Sequence, residues 1–96
     1  MLIELAHEEC FRGLVVYRRA LEEAYAVARA VELSCGSTPE LGEALRLIED
    51  LVSGSGGPED VEYAAALLRQ AADVLRLRGC LDWYLLSQAA DVLEHA

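Results

Sequence analysis

The sequence predicts an all-α fold, a small bundle of about four helices, from three observations. Apolar residues recur at helical spacing over nearly the whole chain, proline and most glycines fall between those runs, and no stretch shows the alternation of a strand. With 96 residues and 54% hydrophobic composition there is material for one core, so residues 1–96 form one bundle domain.

The first helix is long. No proline interrupts Leu2 to Ser34, and Ile3, His7, Cys10, Leu14, Tyr17, Leu21, Ala24, Ala28, Val31 and Cys35 follow alternating steps of four and three. Glu8 with Arg12, Arg18 with Glu22 and Arg19 with Glu23 put opposite charges four apart, as on a solvated face. Gly13 is a weak point, costing about 1 kcal/mol against alanine, where the helix is expected to bend. Gly36 stops it, and Ser37-Thr38-Pro39-Glu40 caps a second helix running to about Ser53, with Leu41, Leu45, Ile48 and Val52 inward and Arg46 paired to Asp50.

After the connector Gly54-Ser55-Gly56-Gly57, Pro58-Glu59-Asp60 opens a third helix that extends to Arg78. It carries two apolar rows, Val61, Ala65, Leu68, Ala72, Leu75 and Tyr63, Leu67, Gln70, Val74, Leu77, and is expected to be buried on a wide face. Gly79 ends it. A fourth helix from about Leu81 has the rows Leu81, Leu85, Gln88, Val92, His95 and Leu86, Ala89 or Ala90, Leu93. Gln-Ala-Ala-Asp-Val-Leu occurs twice, at Gln70–Leu75 and Gln88–Leu93, too little for a solenoid. At 1.5 Å per residue the first helix is about 50 Å long, against about 31 Å for the third and about 24 Å for the other two. Either it breaks near Gly13, or its surplus apolar end packs on a second copy as a homodimer.

Charge and residue usage exclude some functions. Seventeen acidic residues against eight arginines give a net charge of −9, which repels phosphate backbones and anionic lipid, so neither nucleic acid nor membrane is an expected partner. With no lysine, Schiff-base chemistry is confined to the terminal amine. No apolar run approaches the roughly 18 residues of a membrane span, and the acidic start lacks the bases of a signal peptide, so a cytoplasmic protein is expected. Cys10, Cys35 and Cys80 are odd in number, far apart and without C-x-x-C spacing, and are expected as buried or half-buried free thiols rather than a disulfide framework or zinc site.

Proline-acid helix starts, glycine stops, the Gly-Ser-Gly-Gly connector and segments such as Ala20-Leu21-Glu22-Glu23-Ala24 resemble computationally designed, de novo α-helical bundles and helical-repeat proteins. A GC-rich bacterial origin would also give arginine without lysine. The three cysteines, Gly13 and Leu14-Val15-Val16-Tyr17 depart from that style and are where a site on an ideal scaffold would be sought.

Polar residues on the predicted seams are the main functional clue, because ideal cores bury few of them. His7, Cys10 and Tyr17 on the first helix, Gln70 on the third, and Gln88 and His95 on the fourth are the candidate ligand-lining residues. In an up-down-up-down bundle His7 and His95 share one end. Glu4 to His7 matches the Glu-x-x-His step that resembles di-metal carboxylate bundles, but those use two such steps plus two further glutamates and Asp91 to His95 is a four-step, so the match is partial; a divalent metal is one candidate cofactor and haem with a histidine axial ligand another. His7 could serve Cys10 as base, but no orienting partner or oxyanion donor is evident. Gln70 and Gln88 have a second explanation as a buried amide pair that sets helix register. Trp83, Tyr84 and Tyr63 are expected as core or rim aromatics. No catalytic signature stands out. The leading expectation is a bundle that holds a small molecule or cofactor in its core. The alternatives are a helical interaction or self-assembly module, with the first helix as interface, and a small enzyme using a histidine or carboxylate base in an apolar pocket.

Overall fold

The structure, a computed structural model, describes the backbone of residues 2–95 and the side chains of residues 17–95. Four α-helices and no strands occur among the described residues: α1 Leu2–Cys35, α2 Pro39–Val52, α3 Pro58–Leu77 and α4 Trp83–Glu94. α1 continues as one helix through Gly13, so it does not break there. α1 packs against α2 and α4, and α3 packs against the same two helices, closing a ring. Short connections at residues 36–38, 53–57 and 78–82 join consecutive helices, which therefore run up, down, up and down.

Local chemistry sets each boundary. The Thr38 hydroxyl accepts the Leu41 backbone N–H at 3.0 Å, with Pro39 in the first turn where its missing donor costs nothing. At α3 the Gly57 N–H donates to the Asp60 carboxylate at 3.0 Å, again with proline next in the chain. α3 ends in a Schellman pair, Cys80 N–H to the Leu75 carbonyl and Gly79 N–H to the Arg76 carbonyl, both at 3.0 Å. That closure needs the left-handed backbone that Gly79 adopts at φ 86°, as Gly36 does at φ 90° after α1. Thr38 is the one buried polar residue among the described side chains, 3% exposed. Replacing it with alanine would leave the Leu41 N–H without its partner, and urea denaturation should show a loss of about 1 kcal/mol. No measurable loss would mean that Pro39 alone holds the helix start.

The two glycine stops flank two cysteines, and here the structure corrects the sequence reading. Cys35 and Cys80 form a disulfide across 45 residues of sequence, with Cα atoms 5.8 Å apart, instead of standing as free thiols. Antiparallel threading returns the α3–α4 turn to the end of α1, a proximity that spacing along the chain does not report. The Ser34 hydroxyl donates to the Asp82 carboxylate at 3.2 Å beside it.

Along α1 the core takes Leu21, Ala24, Ala28 and Val31, the middle of the stripe expected from the sequence, with Tyr17 and Cys35 half-buried at either end and the side chains of Ile3, His7, Cys10 and Leu14 outside the described ones. α2 adds Leu41, Leu45 and Ile48, and α3 adds Val61, Ala65, Leu68, Ala72 and Leu75. The second α3 row does not share that burial: Leu67 is buried and Val74 half-buried, but Tyr63, Gln70 and Leu77 are exposed. A helix touching two neighbours in a ring buries one wide stripe and turns the rest outward. α4 shows the same division. It begins at Trp83 rather than Leu81, buries Leu86, Ala89, Ala90 and Leu93, and leaves Leu81, Gln88 and His95 exposed. Arg18 pairs with Glu22 as expected, at 3.2 Å, whereas Arg46 turns to Glu43 at 2.6 Å rather than to Asp50.

Candidate interaction surface

Among the described side chains, Gln70 and Gln88 do not converge with Tyr17 and His95 on one site. The side chains of His7 and Cys10 lie outside the described ones. Tyr17 is half-buried at the end of the bundle remote from the disulfide, beside Gly56, Pro58, Val61, Leu93 and Glu94. Burial, and secondarily the charge of Asp60, pushes its hydroxyl above the ordinary tyrosine pKa. Gln70 and Gln88 are on the outside of α3 and α4, and His95 is exposed at the C-cap of α4. Their expected place on a polar seam, and the buried amide pair, are therefore corrected: the 3.6-residue period puts each glutamine about 200° around its helix from a central core leucine, Leu68 or Leu86.

The two copies of Gln-Ala-Ala-Asp-Val-Leu have the same environment. In both, glutamine and aspartate are exposed, the alanines and leucine are buried, and valine is half-buried. The alanine pairs let helix backbones approach closely, so this seam is closed by small side chains rather than opened for a ligand. Arg69 of α3 crosses to α4, binding Asp91 at 2.6 Å and Glu94 at 2.9 Å. Those two carboxylates hold its guanidinium further above its already high ordinary pKa.

Elements of a catalytic or metal site are not assembled among the described residues. Cys35 and Cys80 are bonded to each other, and no group of three or more histidine, cysteine or acidic side chains is placed to hold a metal. The Thr38 hydroxyl is spent on its cap. The Tyr25 hydroxyl donates to Glu49 at 2.6 Å, and that bond, followed by burial, raises its pKa. What remains includes open clefts of about 750 Å³ at Tyr17 and about 430 Å³ at Tyr25, and a surface with large apolar side chains in solvent.

Those side chains were missed in the sequence. Leu33, Leu77 and Leu81 are 77%, 83% and 87% exposed, and Tyr63 is 52% exposed. Tyr63, Leu67, Gln70, Val74 and Leu77 step by four and three along α3, the spacing of a helix-pairing seam. Two apolar rows on one helix were the available signal, since α3 has too few neighbours to cover both. None of the described helices is long and apolar enough to cross a membrane. The chain matches no protein-family model, and no curated protein and no solved structure matches it significantly.

Proposed function

We propose that this chain is a helical self-assembly module that works through its outer helix faces rather than through its core. The observation that carries this reading is the contrast between a core closed by alanine and leucine and the exposed Tyr63 and Leu77, two heptads apart on the outer face of α3. Isolated exposed leucines are ordinary, but Tyr63, Gln70 and Leu77 recur every seven residues on one exposed side of α3, a surface suited to another helix. The length of α1 agrees: 34 residues stand against 14, 20 and 12 in the other helices. Ile3, His7, Cys10 and Leu14 continue in sequence the stripe that Leu21, Ala24, Ala28 and Val31 bury. Equilibrium sedimentation should show mass rising above 10.5 kDa with concentration, and the thermal midpoint should rise with it. A mass fixed at the monomer value over the micromolar to millimolar range would overturn the reading.

The cleft at Tyr17 favours a second reading, a small apolar ligand or cofactor held at that end, since its volume falls in the range of small-molecule sites. A rise in thermal midpoint with haemin, zinc or an apolar dye, abolished by Tyr17→Ala in a folded variant, would support it. The helix-start chemistry at Thr38-Pro39 and Gly57-Pro58-Asp60 supports the resemblance to designed bundles. We place the chain in a compartment that permits disulfides rather than in a reducing cytoplasm, because the Cys35–Cys80 bond is of the kind that persists where thiols oxidise.

A further inference from the structure

We propose that the outer face of α3 pairs with the same face of a second copy, antiparallel, about a two-fold axis at Gln70. The inference rests on the self-assembly reading and names the surface and its symmetry. Gln70 lies midway between Tyr63 and Leu77 in the sequence, and all three are exposed on one side of α3. Antiparallel pairing about Gln70 sets Tyr63 opposite Leu77 of the second copy at both ends, and Gln70 opposite itself. A primary amide both donates and accepts, so two glutamines at such an axis satisfy each other, and a polar pair in an apolar seam defines one register.

Charge identifies the occupant. The first turns of α3 expose Glu59 and Glu62, and its last turns expose Asp73 and Arg76, with Arg78 just beyond, so the C-terminal end carries two cations against one acid. Parallel pairing of two α3 helices would bring acid to acid and base to base. Antiparallel pairing brings the acidic end of each against the basic end of the other. On the flank nearer α4, Glu62 then falls within one turn of the second copy's Arg76. That arginine lies 5.6 Å from the Trp83 ring centre and 3.9 Å from Asp73, with its side chain 56% exposed, so it is held on this flank yet still faces water. A closed two-fold interface needs one self-complementary patch, and this face supplies two Tyr63–Leu77 contacts and the charge order.

The test is equilibrium sedimentation of the whole, oxidised chain, with circular dichroism to confirm folding of each variant. Leu77→Asp should weaken the dimer by roughly 100-fold, because each dimer loses two copies of the contact, while the fold persists since Leu77 is outside the core. Glu62→Arg and Arg76→Glu should each weaken it about tenfold, and the double variant should recover most of the loss. In a Cys10→Ser background, Gln70→Cys should oxidise to a covalent dimer, whereas Tyr63→Cys should not, because position 63 faces 77. Dimers unaffected by Leu77→Asp and without charge rescue would overturn the α3 interface while leaving self-assembly intact through another face. A chain monomeric at every concentration would overturn both.

Discussion

Reducing the Cys35–Cys80 disulfide, or replacing Cys80 with serine, is expected to lower the thermal midpoint by roughly 16 °C or more. The bond closes a span of 45 residues that includes all of α2 and α3. Chain entropy assigns about 4 kcal/mol to a cross-link over that span, because the unfolded ensemble loses the conformations in which α1 and the α3–α4 turn are far apart. Domains of this size hold about 5–15 kcal/mol in total, so the bond is a large fraction of the stability. Melting curves with and without reductant, repeated on Cys80→Ser, check the value. The reduced protein and the variant should agree. A shift of only a few degrees in both would mean that the helices restrain the unfolded chain as strongly as the bond does, and the entropic account would fail.

A loss of about 2–5 kcal/mol is expected for Leu68→Ala, near its upper end. Leu68 is fully buried at the middle of α3, between helices on both sides. Its neighbours along the buried stripe are Ala64, Ala65, Ala71 and Ala72, also buried, which bring the backbones close and offer no long side chain to swing into the space. Refilling would have to come from Leu45, Ile48 and Leu86 of the other helices, themselves buried in the same core, so the lost contacts would be regained only in part. Leu77→Ala, the same chemical change at a solvent-exposed site one face away, should alter monomer stability by less than about 0.5 kcal/mol. Urea denaturation of the two variants at low protein concentration separates them. Equal losses would contradict the division of α3 into a buried and an outer row.

The helical class, the first three helices and their ends were legible because they depend on interactions within a few residues. Thr38 reaches Leu41, Asp60 reaches Gly57, and Gly36 and Gly79 adopt backbone that other residues avoid, all without reference to the rest of the fold. The candidate site was far less legible. A polar residue on an apolar row can face a core or bound an interface, and periodicity alone does not distinguish them. Gln70 and Gln88 have identical local sequence and identical burial, yet the row containing each was read as a seam because its neighbours were leucine, valine and tyrosine. The start of α4 was misplaced for a related reason: Leu81 fits the helical period but sits in the turn that the glycine closure of α3 creates.

The sequence by itself therefore determined helix content, caps, stops and the inward stripe of α1 from Leu21 to Val31, because short-range hydrogen bonding and a 3.6-residue period leave few alternatives. Only the tertiary structure decided which of two apolar rows on α3 and α4 met the core, and that Cys35 lies against Cys80. Those outcomes depend on how many neighbours each helix receives and on which ends the antiparallel threading brings together, quantities that belong to the packed ring and not to any segment of the chain.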